Sequence, residues 1–370
     1  MALTDPQPQE TSGGGDWANL TAGPAGRIAE RVLSNDCVDF LRFRAVCRAW
    51  RAGTAHLRAH GALDRRFLPR RWILLPPTTN SGGRQTQTRR CFLNVVTGEV
   101  IGVELQGLLS CNLLGHTAEG LLVLCRWDRA HAVQILNPLT GQAAALPNAS
   151  SLLRTTGERL QRKLRNFVLR GGGLAGDSTV ALHFRRYYLS VAKPGDFFWT
   201  RLKFHHAIQS ALPFDGRIFL VNEKNVSLLV EAPASEQPPR CAVAAVHGRG
   251  TEDYLEKRMS LSSNDGELIL CYHAYAGCSV RRVELDSGDM ASLVTLKGKA
   301  LFTGPSRSVM VSTEVSSCIN ADTVYVCIYH AKTNQLKVIA CALNIGASVA
   351  AEVCFDEEDT AFYLARYVCS

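Results

Sequence analysis

Short β-rich runs separated by turns begin at Cys91 and fill most of the chain, with hardly a helical period between them. Arg217-Ile218-Phe219-Leu220-Val221 faces Val226-Ser227-Leu228-Leu229-Val230 across Asn222-Glu223-Lys224-Asn225. Glu267 to His273 pairs with Ser279 to Leu285, which leads into Asp286-Ser287-Gly288, and Thr323 to Tyr329 pairs with Gln335 to Leu343 across Lys332-Thr333-Asn334. Asn137-Pro138-Leu139-Thr140-Gly141 is a turn with a mechanism: proline presets φ, glycine allows positive φ, and Asn and Thr bond the local backbone. Asn94-Val95-Val96-Thr97-Gly98 is a degenerate copy without the proline. Such spacing fits an all-β array of repeated units better than a sandwich, and periodicity alone leaves a large β-barrel as the rival. About 300 residues at a period near 50 give roughly six units. Trp72-Ile73-Leu74-Leu75-Pro76-Pro77 opens this domain, and Ala361 to Val368 reads as its last strand. Ring closure would bring those two segments together and remove exposed sheet edges.

The chain ahead of this array has a different texture. Met1 to Gly15 is polar, ends in a Gly13-Gly14-Gly15 run and reads as a disordered tail with no signal-peptide core. Gly23-Pro24 followed by Ile28, Val32 and Leu33 reads as an amphipathic helix with proline in its first turn. Asp36 or Asp39 can cap a second helix, because a carboxylate there accepts from orphan N–H groups. Val38, Leu41 and Ala45 share one face at helical spacing, which leaves Arg42, Arg44, Arg48 and Arg51 wet. So small a helical unit buries little by itself and calls for a partner surface. Pattern alone leaves open that it merely caps the domain that follows.

The residues narrow that choice. Asp39-Phe40 followed by Val46-Cys47-Arg48-Ala49-Trp50-Arg51 resembles the second half of an F-box, with the spacing preserved, and Ile28 and Val32-Leu33 sit at its first-helix apolar positions. Phe43 to Arg51, Asn137 to Gly141, Gly195 to Leu202 and Asn320 to Tyr325 are similar to plant F-box proteins whose C-terminal half is a kelch-like domain of unknown function. Where that family opens with Leu-Pro, Leu20 is here separated from Pro24 by Thr21-Ala22-Gly23. The resemblance implies an α+β multidomain chain: a tail over residues 1–15, an all-α F-box over 16–62, a connector and first strand over 63–90, and a kelch-like β-propeller of roughly six blades over 91–370. It also implies that Leu20, Pro24, Ile28, Val32, Leu33, Phe40, Val46, Cys47 and Trp50 dock on a SKP-family adaptor, and through it on cullin and RING subunits. The function that follows is substrate recognition in an SCF-type ubiquitin ligase, with no bond-making by this chain.

Other chemistry finds little support. The 370 residues carry a net charge of +8 and 13 cysteines, an odd number without any Cys-x-x-Cys pair. This argues for reduced thiols in the cytoplasm or nucleus. No apolar run approaches the roughly 18 residues of a membrane helix. Gly171-Gly172-Gly173-Leu174-Ala175-Gly176 matches a dinucleotide-loop string, but a strand-like run follows it where a helix is required, so it reads as a turn. Cys271, His273 and Cys278 fit no zinc spacing, and His205-His206 has no acidic partner nearby in sequence. The acidic run Asp356 to Asp359 reads as a solvated loop. Catalytic, cofactor and metal residues are therefore expected to be none.

The long excursions are Thr78 to Arg90, Ser150 to Arg170 and Ala232 to Arg240. Leu160, Leu164 and Phe167 recur at helical spacing in the second, which gives a helix with a basic face. Arg159, Arg162 and Arg165 on that face are the candidate contacts for an acidic or phosphorylated protein target. Nucleic acid is disfavoured because aromatic side chains are not interleaved with the basic ones. A basic propeller scaffold or nucleic-acid-binding protein without a ligase role is the alternative from another class.

Overall fold

The computed structural model describes residues 17, 20–76, 88–128, 130–176, 178–230, 240–246, 258–274, 277–305, 307–330, 333, 335–343, 350–357 and 359–369. The expected tail, most of the Thr78 to Arg90 loop and nearly all of Ala232 to Arg240 lie outside them. The chain divides into two compact units, residues 1–60 and 61–370.

The first unit holds α1 (Ala22–Asn35), α2 (Cys37–Ala45) and α3 (Arg48–Ala52). Asp36 caps α2, its carboxylate accepting from the Val38 N–H at 2.6 Å and the Asp39 N–H at 3.4 Å. Ala25, Ala29 and Leu33 of α1 pack with Cys37, Val38, Phe40 and Phe43 of α2 as the buried face. The inward side of α2 thus differs from the expected Val38–Leu41–Ala45 stripe, since Ala45 is exposed. It meets both α1 and α3, and that broader contact takes in Arg44, which was expected to stay wet and is 9% exposed.

The second unit is a radial array of six sheets among the described residues. The first has three strands, β1 (Trp72–Leu74), β2 (Arg89–Asn94) and β3 (Val100–Glu104). Four-stranded sheets follow, beginning with β4 (Cys111–His116), β5 (Leu122–Arg126), β6 (Val133–Leu136) and β7 (Ala143–Leu146). Helices α4 (Ala149–Leu153) and α5 (Gly157–Arg165) lead to β8 (Gly171–Ala175), β9 (Thr179–Arg185), β10 (Tyr188–Ala192) and β11 (Thr200–Lys203). Next come β12 (Ser210–Phe214), β13 (Arg217–Val221), β14 (Asn225–Val230) and β15 (Arg240–Val246). The fifth sheet is β16 (Arg258–Asn264), β17 (Glu267–Ala274), β18 (Gly277–Val283) and β19 (Met290–Leu293). The last holds β20 (Lys299–Thr303), β21 (Ser308–Ser312), β22 (Thr323–His330), β23 (Gln335–Ala342) and β24 (Ala350–Val353) in the order β21-β20-β22-β23-β24.

Strand β8 lies against β12, β12 against β16, and β16 against β21, so successive sheets meet along their inner strands in the manner of a β-propeller. Five sheets have the four or more strands of a full blade; β1–β3 is the shorter one. The continuous apolar run Leu121 to Cys125 is completely buried, as a strand covered on both faces must be. The expected turns close their hairpins by the expected means. Asn137 Oδ1 accepts from the Leu139 and Thr140 N–H groups, and Gly141 sits at φ +72°. Asn94 does the same for Val96 and Thr97 without a proline.

Three expectations about the propeller are overturned. Ala361 to Val368 is not a strand but the body of α6 (Thr360–Cys369). Its buried residues Ala361, Leu364, Ala365 and Val368 fall at helical spacing, and Asp359 Oδ1 accepts from the Ala361 N–H at 2.7 Å to start the turn. Trp72–Leu74 accordingly pairs with β2, Trp72 opposite Asn94, rather than with the end of the domain. The two ends nevertheless share a core, in which Ile73 and Leu75 pack with Phe302, Tyr325, Leu364 and Val368. The glycine run 171–175 is likewise no turn but the inner strand β8.

Candidate functional site

In the helical unit, Leu33 and Phe40 lie in the core at 8% and 1% exposure, while Ile28 and Val46 stand out at 38% and 62%. Leu20, Pro24, Val32, Cys47 and Trp50 are half-buried. Trp50 is held from both ends: its ring stacks on Phe43 with centroids 4.3 Å apart, and its indole N–H donates to the Trp17 carbonyl at 2.8 Å. The nine residues singled out in the sequence therefore comprise two core supports, five partly covered side chains and two exposed apolar ones. Arg44, absent from that set, ties the unit together. Its Nη1 donates to the carbonyls of Ala55 (2.6 Å) and Arg51 (3.4 Å) and to the Thr54 hydroxyl. The guanidinium also lies over Phe40, 5.7 Å from its centroid. Burial and the nearby Arg51 charge depress its pKa.

In the propeller, α5 forms where the apolar spacing placed a helix, with Leu160 and Leu164 buried and Arg159, Arg162 and Arg165 exposed. The neighbouring helix α4 is capped by Asn148, whose Oδ1 accepts from the Ser151 N–H at 3.0 Å. A cleft of about 320 Å³ beside α4 is lined by Leu152, Arg154, Phe198 and Arg201. Phe197 and Phe198 are 85% and 74% exposed. The sequence separates these aromatics from the basic stretch; the fold returns Phe198 to Arg154.

A larger cavity, of about 570 Å³, has Ile73, Val95, Leu174, Leu212 and Ser308 in its walls, and Glu119 also contributes to its lining. Glu119 is 8% exposed; its Oε1 accepts from the Leu174 N–H at 2.7 Å, and its Oε2 has no hydrogen-bond partner among the described residues. Burial pushes its pKa up, against the Leu174 N–H, the Thr117 hydroxyl and the Arg70 charge, which favour the carboxylate. The bare backbone of β8 makes the space: a Cβ on Gly173 would collide with both Glu119 oxygens. A smaller cavity shares Ala118, Leu212, Ser308 and Tyr367 with the first. On it Arg307 donates to His116 Nε2 at 2.7 Å and to the Leu169 carbonyl at 2.5 Å. Burial and Arg307 hold the His116 pKa well below its ordinary value, so its ring stays neutral and accepts this bond. That ring stacks on Tyr367, centroids 4.9 Å apart.

The KIB1-4 beta-propeller family model matches residues 92–353. The chain belongs to that family. The match runs from β2 to β24 and stops short of the helical unit. Among solved structures, the KIB1-4 propeller is similar to Hsv2 of Kluyveromyces lactis at 10% identity, 74% of this chain against 79% of that one, TM-score 0.35. The Cps50 (Swd1) β-propeller domain of Myceliophteria thermophila aligns at 10% identity over 69% and 77% of the two chains, TM-score 0.34. BamB from Moraxella catarrhalis does so at 11% over 65% and 60%, TM-score 0.30. No curated protein sequence matches the chain.

Within the KIB1-4 propeller the residues weighed for metal or acid–base chemistry fall in ordinary places. Cys271 and His273 lie on β17, with Cys278 opposite His273 on β18, and no group of three potential metal ligands occurs among the described residues. His206 does have an acidic partner, contrary to the sequence reading: its Nδ1 lies 3.0 Å from Glu223 Oε1, brought close across the sheet. The acidic run works as the start of α6 through Asp359. No helix among the described residues is long and apolar enough to cross a membrane.

Proposed function

We propose that this protein is the substrate-recognition subunit of an SCF-type cullin–RING ubiquitin ligase. Residues 16–62 act as the F-box that docks on a SKP-family adaptor, and the kelch-like propeller, with the short β1–β3 sheet as its sixth blade, holds the target. The chain makes no bonds itself; it raises the concentration of target lysines near the ubiquitin carrier. One observation carries this reading. A small unit whose core is already closed by Leu33, Phe40 and Phe43 still presents Ile28 and Val46 to solvent. Exposed apolar side chains beside the half-buried Val32 and Trp50 suit a partner helix or groove. The target surface is the exposed arginine row of α5 with Phe197 and Phe198, which suits an acidic or phosphorylated protein. Twelve described cysteines form no disulfide, in keeping with work in the cytoplasm or nucleus of a plant cell.

Ile28→Asp with Val46→Asp is a cleaner test than a substitution at Trp50, which also supports Phe43. Each exposed side chain gains roughly 1.5–3 kcal/mol on burial, so capture of purified SKP-family adaptor should fall by roughly 100-fold or more. Arg159→Glu, Arg162→Glu and Arg165→Glu together should leave adaptor capture intact and lower recovery of co-purifying acidic proteins. Undiminished adaptor capture by the folded double variant ends the ligase reading. If the arginine variant instead loses nucleic acid from the purified protein, the basic-scaffold alternative takes its place.

A further inference from the structure

The outer edge of the third sheet gathers positive charge around the cleft beside α4. Arg201 of β11 is fixed from two sides. Its Nη2 donates to the Leu152 carbonyl at 2.9 Å, and its guanidinium lies over the Tyr188 ring, 5.0 Å from the centroid. Arg154 follows that carbonyl by two residues, in the left-handed region at φ +49°, and both cations line the same cleft of about 320 Å³. A third, Arg185, ends β9 opposite Tyr188. Burial, and then the Arg185 and Arg154 charges, depress the Arg201 pKa. Arg154 and Arg185 are exposed and Arg201 is half-buried, and no carboxylate pairs with any of them among the described residues. A cleft lined by one sign of charge without a counter-charge concentrates ions of the opposite sign.

The rest of the lining limits what that ion can be. One wall is apolar, formed by Leu152 and the exposed Phe198. The loop that presents Phe198 is built: Asp196 Oδ2 accepts from the Lys193 N–H at 2.7 Å, and the buried Trp199 indole donates to the Pro147 carbonyl at 2.9 Å. A fitting ligand carries concentrated negative charge at one end and carbon behind it. A carboxylate brings one charge and two oxygens. A phosphate monoester brings roughly −1.5 to −2 and three acceptor oxygens, enough for two guanidiniums that both have donors left over. The cations converge on one point instead of tracking a strand, which suits a single phosphate more than a nucleic-acid backbone. We propose that this cleft binds one phosphorylated side chain of the protein target, its phosphate between Arg154 and Arg201 and its carbon portion against Phe198. As a site for part of the target it rests on the reading of this face as the target surface, while its phosphate chemistry is measurable without any adaptor.

The test is fluorescence polarisation on the full-length protein with three labelled peptide pools, degenerate around a fixed phosphotyrosine, phosphothreonine or phosphoserine. At least one pool should bind, and its unphosphorylated and glutamate counterparts should bind about tenfold more weakly or worse. Inorganic phosphate, or a short single-stranded oligonucleotide at the same phosphate concentration, should not displace the peptide. Arg154→Asn places a residue that accepts positive φ at an exposed position and should weaken binding by about tenfold. Arg201→Lys keeps a charge but loses the planar fork, and should do the same. Absence of binding by all three pools, equal binding of the glutamate forms, displacement by phosphate or oligonucleotide, or unchanged affinity in the folded variants would overturn the site. Such a failure with adaptor capture intact removes the cleft alone, whereas failure of the ligase reading shows in the adaptor assay of the Ile28→Asp, Val46→Asp variant.

Discussion

Arg44 in the helical unit and Glu119 in the propeller are both buried ionisable side chains, and their surroundings treat them in opposite ways. Arg44 is bonded to two carbonyls and a hydroxyl, lies over an aromatic ring, and leaves no buried nitrogen unpaired among the described residues. Glu119 has one oxygen bonded to the Leu174 N–H and the other sealed from solvent without a hydrogen-bond partner among the described residues. A buried charge whose donors are taken up by neighbouring backbone and hydroxyl groups serves the architecture. A buried carboxylate with an unsatisfied oxygen costs stability and favours the neutral form. The helical unit thus leaves the apolar side chains of Ile28 and Val46 exposed, whereas the propeller keeps an unsatisfied carboxylate oxygen buried.

The contrast should be visible first in acid. Burial and nearby arginines hold His183 down to about 3 and His273 to about 4, against an ordinary 6.5, so both rings are neutral in the folded propeller. Unfolding lets them take protons below pH 6.5, so the stability present above that pH is lost as pH falls toward those values. Each ring contributes about 1.4 kcal/mol per pH unit in that window. Glu119, with its pKa raised, has the opposite sign and softens the loss. Among the described residues the helical unit has no buried histidine, so amide exchange there should respond less. Propeller amides whose protection stays flat from neutral pH to pH 4 would remove the basis of this contrast.

Next in size is Arg44→Met. It keeps much of the apolar stem but takes the guanidinium donor from the Ala55 carbonyl and the Thr54 hydroxyl, while the Arg51 carbonyl keeps its bond from Thr54, and a loss of roughly 1–3 kcal/mol confined to residues 20–60 is expected. Denaturation followed by hydrogen exchange separates the units; equal loosening of both would mean that Arg44 is not a local staple.

The smallest effect is Gly173→Ala, at roughly 1–3 kcal/mol for overpacking. Because the added methyl would collide with Glu119, a Glu119→Ala background should relieve part of the cost, although a contact with Pro213 remains. A double-mutant cycle reads that coupling. Strict additivity would show that the glycine run serves only strand packing.

The hairpins were legible because their information is local. Asn137 to Gly141 writes its turn in five adjacent residues, and the strands on either side need only neighbours close in sequence. Residues Ala361 to Val368 were misread since β-branched and aromatic side chains there outweighed a helical spacing that was present all along, with Asp359 as its cap. Glu119 could not have been found. Thr117-Ala118-Glu119-Gly120 looks like any polar loop, and what buries the carboxylate, the Leu174 amide and the glycine row, lies far along the chain. Those glycines are the one visible trace, and their string reads as a turn because nothing local marks residues 171–175 as an inner strand packed beside a carboxylate. Arg44 was hidden for a related reason: helical periodicity assigns a face, but two partner helices widened it.

The shared core of Ile73 and Leu75 with Leu364 and Val368 has a consequence for how the protein is made. Almost the entire propeller must be synthesised between the two halves of that contact. At about 5–20 residues per second, a ribosome leaves the early strands waiting for tens of seconds. During that interval Leu93 and Val95 have no lid, and the first sheet is an open template for strands of other chains. Any transcript that ends before α6 therefore yields a polypeptide with a sticky seam, which gives holding chaperones a task during translation and quality-control proteases a clear mark afterwards.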